Sequence, residues 1–213
     1  MTEHSAPWLC QNQALQSGSQ ALPQNLPNLL TGLRIVAIPL MVVCYYLPQP
    51  ISTAGAAVVF IVAAVTDWFD GWVARRMGQT SQFGAFLDPV ADKLLVTVAL
   101  ILLMHRMDNI FITLAGMVVI GREIVISALR EWMAQLGKRA SVAVSGIAKV
   151  KTGVQMTAIP ILIWYPSWPA VEEIRLLGLF LLALAVILTL WSMVLYFRAF
   201  LTTLEEEAES ADS

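Results

Sequence analysis

Long apolar segments separated by short polar ones make up most of this 213-residue chain. Six of these segments are long enough to supply about 20 helical residues each, the length needed to cross roughly 30 Å of hydrocarbon. They lie at approximately 29–47, 52–73, 86–104, 109–129, 148–165 and 174–197. The pattern therefore predicts an all-α integral membrane protein with six transmembrane helices.

The two ends of the chain depart from this pattern. Residues 1–25 are rich in Gln, Ser and Asn and show no sustained periodicity, which predicts a mobile, disordered N-terminal tail rather than a signal peptide. Residues 26–204 would form the six-span domain, and residues 205–213 an acidic, solvated C-terminal tail.

Composition agrees with a membrane protein, since 58% of residues are hydrophobic and 13% are charged, and the mean hydropathy is +0.71. A net charge of -2 says little about partners, and we expect no nucleic-acid partner. The two cysteines, Cys10 and Cys44, are too few and too differently placed to suggest a disulfide or a metal site.

Basic residues are concentrated in alternate connections between the predicted spans. The connections from the second to the third and from the fourth to the fifth span are basic, whereas the others contain only Arg106 and Arg175. The positive-inside rule then predicts that the basic connections and both termini face the cytoplasm. The residues concerned are Arg75, Arg76, Arg130, Lys138, Arg139, Lys149 and Lys151.

Four aspartates lie where the second span ends and the third begins, in the stretch DWFDGWVARRMGQTSQFGAFLDPVAD. Asp67 and Asp70 are three residues apart and Asp88 and Asp92 four apart, so on helices each pair would share one face. Since the two helices are consecutive and antiparallel, the pairs can converge. The repulsion between them would be removed by cations.

A cluster of carboxylates without His or Cys favours a hard divalent ion, Mg²⁺ or Mn²⁺, over Zn²⁺. Four carboxylates are enough to hold two such ions. The alternative is a set of ordinary helix-end carboxylates, with the first pair facing Arg75 and Arg76 and Asp88 capping the third span.

Two glycines and an arginine accompany the aspartates. Gly71 and Gly84 would let a ligand approach the backbone, although either could serve helix packing alone. Arg75 is suited to a phosphate, although a snorkelling cytoplasmic arginine would look the same.

The complete pattern is D-x-x-D-G-x-x-A-R, eight residues, then G-x-x-x-D-x-x-x-D, and it resembles the signature of the CDP-alcohol phosphotransferase family. This resemblance implies that family's six-span fold, usually dimeric, with two metal ions in a cytoplasm-facing cavity that binds a CDP-linked donor. It implies metal-ligand roles for Asp67, Asp70 and Asp88, while Asp92 would both reach a metal and act as the base on the acceptor hydroxyl.

The similarity continues in NLPNLLTGLRIVAIP, in residues 121–156 and in TLWSMVLY, and there it is closest to the branch that uses glycerol 3-phosphate. The reaction implied is CDP-diacylglycerol plus sn-glycerol 3-phosphate giving phosphatidylglycerophosphate and CMP, in the inner membrane of a bacterium and among membrane lipids. The donor contacts expected from the resemblance are Asn28, Thr31, Gly71, Arg75, Ser81 and Gly84. Asn28 and Thr31 could equally cap the first span.

An acceptor that carries a phosphate requires a second basic site. Arg122 and Arg130 are eight residues apart on one face of the fourth span, and Lys149 and Lys151 open the fifth. We predict that these four residues bind glycerol 3-phosphate. In the alternative, Glu123 or a lipid headgroup phosphate is the anionic partner of the buried arginine.

Three other functions remain open at this point. A relative of the same family could use another acceptor, such as serine or inositol phosphate. A cation channel or transporter could line its path with intramembrane aspartates, but it would spread them through the bilayer rather than confine them to one interface beside arginines. A non-catalytic scaffold could retain the fold.

Overall fold

The computed structural model of the protein describes residues 26–77, 82–135, 145–165 and 172–211. Within these ranges, the side chains of residues 26–30, 67–77, 82–86, 88, 145, 147–149 and 203–211 are not described. The predicted N-terminal tail lies outside the described residues, as do Ser81, Lys138 and Arg139.

The described residues form six helices and no strand, which confirms the all-α prediction. The helices are α1 Leu26–Tyr45, α2 Ile51–Met77, α3 Gln82–Met107, α4 Ile110–Gln135, α5 Ser145–Trp164 and α6 Glu172–Ala211. Each contains one of the six predicted apolar segments or nearly all of it.

Two helical segments in the described part, Ile110–Gln135 and Glu172–Thr202, are long and apolar enough by length and composition to cross a membrane. Thr31–Tyr45 and Ile51–Thr66 are shorter apolar segments. Large apolar side chains also face outward, with Ile110 74% and Phe180 65% exposed. A protein surrounded by water rarely exposes so many large apolar groups, whereas lipid favours them.

Local sequence explains the sharp turn between α3 and α4. Asp108 follows the last residue of α3 with a φ of 38°, the left-handed conformation that commonly ends a helix. Asn109 then caps α4, because its Oδ1 accepts a hydrogen bond from the amide of Phe111 at 2.9 Å. Asp108 and Asn109 are the whole connection, and α3 and α4 pack against each other.

The six helices pack around one main apolar core. Helix α1 packs on α2 and α3, α5 packs on α2 and α6, and α4 packs on α3 and α6. Two glycines mark close crossings. A Cβ on Gly116 would lie 2.5 Å from Sδ of Met104, and one on Gly178 would lie 2.7 Å from Cδ2 of Leu162. Small residues at such crossings let apolar helices approach closely.

One end of the bundle is fastened by Arg106, near the C-terminus of α3. It donates hydrogen bonds to the carbonyl oxygen of Tyr45 at 3.3 Å and to Oγ of Ser52 at 3.2 Å. Its guanidinium carbon lies 4.4 Å from the centre of the Tyr45 ring. Asp92 precedes Arg106 on α3 by a distance of about 21 Å along the helix axis, so it lies toward the opposite end of the bundle.

Helices α1, α3 and α6 extend beyond their predicted apolar segments. Because α3 begins at Gln82, Asp88 lies inside the helix, and the alternative that it caps the third span is wrong. Likewise α1 begins at Leu26, so neither Asn28 nor Thr31 is its N-cap. Helix α6 continues through Ala211, so the backbone of the acidic segment is helical as far as that residue.

Candidate active site

The four predicted metal-binding aspartates lie on two helices. Asp67 and Asp70 belong to α2, and Asp88 and Asp92 to α3, so the spacings of three and four residues are spacings along a helix, as predicted. Of these four, only Asp92 has a described side chain, and it is partly buried. The convergence of the four carboxylates remains a prediction.

A cavity of about 1210 Å³ lies between α2, α3, α4 and α5, and Asp92 lines it. Ile61, Val65 and Met156 contribute apolar walls. Four basic and two acidic side chains supply the charge among the described lining residues. They are Asp92, Lys93, Arg122, Glu123, Arg130 and Lys151. An excess of cations in a partly apolar cavity favours an anionic ligand.

Three of the four predicted acceptor residues lie in this cavity. Arg122 and Arg130 reach it from α4 and Lys151 from α5, so residues assigned to the acceptor line the same cavity as Asp92. The fourth, Lys149, lies on α5, and its side chain is not among those described. Arg122 and Arg130, eight residues apart on α4, therefore line the same cavity, as their spacing predicts.

Glu123 forms ion pairs with two of these cations. Its Oε1 accepts a hydrogen bond from Nη1 of Arg122 at 3.0 Å and another from Nζ of Lys151 at 2.5 Å. The side chains of Arg122 and Lys151 are only 5% and 3% exposed, whereas that of Glu123 is 27% exposed. Glu123 is therefore an anionic partner of the buried arginine, while the binding of the acceptor phosphate by Arg122 stays a prediction.

Arg122 nevertheless retains an unused donor. Its Nε is buried and has no hydrogen-bond partner among the described residues. A guanidinium has five N–H donors, and an unsatisfied one in a low-dielectric site is costly.

Lys93 and Ser127 connect α3 with α4 beside Asp92. Nζ of Lys93 donates to Oγ of Ser127 at 2.5 Å, and that hydroxyl donates to the carbonyl oxygen of Glu123, also at 2.5 Å. Neither residue received a role from sequence. The position of Lys93 directly after the last aspartate was the available signal, because a lysine beside predicted metal-binding carboxylates would repel the metal ion.

Helix α6 supports the basic residues from behind. Ser192 accepts a hydrogen bond from Arg122, and the hydroxyl of Tyr196 accepts one from Arg130. These residues also received no role from sequence, although TLWSMVLY places both polar groups one helical turn apart in an apolar span. Polar groups inside a membrane span are expensive and therefore indicate a specific partner.

The predicted donor contacts lie mainly outside the described side chains. Thr31 is buried on α1, being 3% exposed. Asn28 also lies on α1, Gly71 and Arg75 on α2, and Gly84 on α3, and the backbone of each is helical. Ser81 lies outside the described residues, and the binding of the donor by these six residues stays a prediction.

The candidate ligands suit a hard metal ion in chemistry. All four are carboxylates on helical backbone, without a competing His or Cys. Among the described side chains, no group of three or more His, Cys, Asp or Glu residues could hold a metal. Three of the four predicted ligands lie outside that set.

Comparison with known proteins extends over most of the chain. Residues 24–201 match the family model for CDP-alcohol phosphatidyltransferases. Two relatives, one from Shigella flexneri and one from Escherichia coli (strain K12), are 52% identical to this chain over 176 residues. Each is named CDP-diacylglycerol-glycerol-3-phosphate 3-phosphatidyltransferase. The aligned part covers 82% of this chain and 94% of each relative. On this identity and coverage, the chain belongs to the CDP-alcohol phosphatidyltransferase family.

Proposed function

We propose that this protein transfers the phosphatidyl group of CDP-diacylglycerol to sn-glycerol 3-phosphate, giving phosphatidylglycerophosphate and CMP. The observation that carries the proposal is a single cavity containing Asp92 together with Arg122, Arg130 and Lys151. A carboxylate suited to accept a proton thus lies beside cations suited to a phosphate. The 52% identity to the named transferases supports the same reaction.

The charge of the cavity argues against the main alternative class. A cation channel needs acidic or carbonyl oxygens along its path. Among the described lining residues the basic side chains outnumber the acidic ones, and a cation path has no use for three basic side chains grouped on α4 and α5. A phosphate-bearing acceptor explains this excess better than a neutral acceptor such as serine does.

The acceptor would bind with its phosphate against the basic residues of α4 and α5. Arg122, Arg130 and Lys151, with Lys149 as a further contributor, would fix the phosphate and direct the free hydroxyl toward Asp92. Asp92 would take the hydroxyl proton as the new O–P bond forms at the phosphatidyl phosphorus. The bond from that phosphorus to the bridging oxygen breaks, and CMP leaves with the bond's electrons.

The donor would be held partly by apolar contacts. A mostly apolar pocket of about 330 Å³ shares Ile61, Met156 and Thr157 with the cavity and also includes Trp164. Such a pocket suits an acyl chain, whose burial is favourable by about 0.8 kcal/mol per methylene. The contacts proposed for the CDP group are Asn28, Thr31, Gly71, Arg75, Ser81 and Gly84.

We further propose that Asp67, Asp70, Asp88 and Asp92 hold two divalent ions, Mg²⁺ or Mn²⁺. When bound, such ions neutralise pyrophosphate charge and stabilise the departing phosphate. The oxygen-only donor set at helical spacing supports this proposal.

The apolar helices and the family indicate an integral membrane protein. We propose that it resides in the inner membrane of a bacterium as a homodimer, with the active site and both termini facing the cytoplasm. The alternation of basic and poorly charged connections supports this orientation.

The test is incubation of the purified protein with CDP-diacylglycerol and labelled sn-glycerol 3-phosphate, with Mg²⁺ or with excess chelator. We expect equal amounts of CMP and labelled phosphatidylglycerophosphate, and neither product with chelator. Serine and inositol phosphate are offered in parallel as acceptors. Product from one of these instead, or no product at all, would overturn the assignment.

A further inference from the structure

Helix α6 lies behind the cavity rather than at its wall. Among the described lining residues none belongs to α6, yet two of its polar side chains contact arginines that do line the cavity. Ser192 and Tyr196 are four residues apart and therefore lie on one face of the helix. Ser192 is fully buried and Tyr196 is 9% exposed.

The contact of Ser192 with Arg122 has a defined direction. Oγ of Ser192 donates its only proton to the carbonyl oxygen of Thr189 at 2.9 Å. Its lone pairs are therefore left for Nη2 of Arg122, which donates to it at 2.9 Å. Because Nη1 of Arg122 is bonded to Glu123, two ends of the guanidinium fork are fixed by different helices.

Tyr196 contacts two arginines at once. Its hydroxyl accepts a hydrogen bond from Nη2 of Arg130 at 2.6 Å. Its ring centre lies 4.9 Å from the guanidinium carbon of Arg130 and 5.9 Å from that of Arg122. The negative face of an aromatic ring attracts guanidinium groups at these distances, so one ring offsets part of the repulsion between the two cations.

This support has a consequence for ligand binding. A free arginine loses rotamer entropy when a ligand immobilises it. Arg130 is an exposed side chain, so without Tyr196 it would lose that entropy on each binding event. Arginines that are already oriented bind an anion more tightly because the ordering has been done in the free protein.

We propose that Ser192 and Tyr196 are positioning residues for the phosphate of the acceptor, acting through Arg122 and Arg130. The inference rests on the proposed function, since it assumes that the two arginines bind that phosphate. Neither residue needs to touch the substrate. Tyr196 orients the guanidinium group of Arg130 through its hydroxyl. Ser192 holds the guanidinium group of Arg122 together with Glu123.

The experiment uses variants that remove only a hydroxyl from the full-length protein. Tyr196→Phe keeps the ring, and Ser192→Ala keeps the size of a small buried group. The matched controls are Tyr165→Phe, which loses a hydroxyl bonded to Glu172, and Ser52→Ala, which loses a contact with Arg106. Both controls lie outside the cavity lining. The readouts are kcat, the KM for each substrate and the Tm.

We expect Tyr196→Phe to raise the KM for sn-glycerol 3-phosphate about five- to tenfold, less than for the direct loss of a hydrogen bond to a charged group, because Arg130 itself remains. Ser192→Ala should raise it less, because Glu123 still holds Arg122. The kcat and the KM for CDP-diacylglycerol should stay within twofold of wild type. The two control variants should leave all three constants unchanged.

A double-mutant cycle separates positioning from general structural support. In Arg130→Ala the hydroxyl of Tyr196 has no guanidinium to orient, so adding Tyr196→Phe should raise the KM for the acceptor no further. Additive effects, or an equal loss for both substrates with a lowered Tm, would overturn the positioning role.

The same cycle distinguishes two kinds of failure. If Arg130→Ala raises the acceptor KM while Tyr196→Phe does not, the acceptor site stands and only the positioning role is lost. If Arg130→Ala leaves the acceptor KM unchanged, the acceptor site itself is wrong, and this inference is wrong with it.

Discussion

Lys151 and Glu123 form an ion pair across α5 and α4, with 2.5 Å between Nζ and Oε1. The same carboxylate oxygen accepts a hydrogen bond from Arg122, so two almost fully buried cations share one anion. A buried ion pair is a poor source of stability by itself, but removal of one member leaves an unbalanced buried charge. Glu123 therefore holds together the part of the cavity proposed to bind phosphate.

Replacement of Glu123 by Gln should make the stability of the protein depend on anions. We expect the free energy of unfolding to fall by about 2 to 3 kcal/mol. This is less than for a fully buried ion pair, because Glu123 is partly exposed. This corresponds to a Tm lower by roughly 5 to 10 °C. Inorganic phosphate or sn-glycerol 3-phosphate should then raise the Tm of the variant more than that of the wild type, because a bound anion replaces the lost charge.

The control for this variant is Glu172→Gln, which removes the exposed partner of Arg175 at the start of α6. Surface pairs contribute little to stability, so the control should unfold close to the wild-type Tm at every phosphate concentration. An equal response of Glu123→Gln and wild type to phosphate would contradict the arrangement described for Lys151.

Much of the fold could be predicted from the apolar pattern, and the errors have a physical cause. The pattern located the helices, but it placed the start of α3 at residue 86 rather than at Gln82 and the end of α6 at residue 197 rather than at Ala211. Hydropathy measures the apolar part of a helix. Glu, Ala and Leu are good helix formers, so α6 can continue beyond its apolar segment.

The site could be predicted only as far as local spacing reaches. Arg122 and Arg130 were expected on one helix face, and both line the cavity. Their contacts with Ser192 and Tyr196 span 70 and 66 residues of sequence. Ser192 and Tyr196 mark one polar face of α6 in the sequence, but local spacing does not tell which helix that face contacts.

The hydrogen bond between Lys93 and Ser127 predicts coupled effects on activity. Ser127→Ala should lower kcat about three- to tenfold, because Lys93 beside Asp92 loses its attachment to α4. Lys93→Ala combined with Ser127→Ala should be no worse than the more damaging single change. Thr113→Ala is the control, since it also removes a hydroxyl bond to a backbone carbonyl, but in the first turn of α4, away from Lys93. Additive losses would show that the two residues act separately.

Gly178 should be the more sensitive of two glycines to replacement by alanine. A Cβ there would lie 2.7 and 2.8 Å from two carbons of Leu162, so Gly178→Ala should destabilise the protein by about 1 to 3 kcal/mol. No atom lies within 4 Å of the corresponding position at Gly121, where alanine should be neutral or stabilising because it favours helix. Thermal unfolding in detergent measures both, and equal Tm values would contradict the close crossing of α5 and α6.

Asp92→Asn should abolish turnover while leaving the affinity for CDP-diacylglycerol largely intact. An amide keeps the size of the carboxylate but cannot accept the hydroxyl proton, and loss of a general base lowers kcat by about 10²- to 10⁴-fold. Asp108→Asn, at the far end of α3, is the control, because asparagine tolerates the positive φ of that position.

A titration with Mg²⁺ then separates the two roles proposed for Asp92. If it served only as a metal ligand, high Mg²⁺ would restore the activity of Asp92→Asn, whereas no concentration should restore it if the residue is also the base. Wild-type activity that persists in excess chelator would rule out the divalent ions, and full activity of Asp92→Asn would remove the residue from the mechanism.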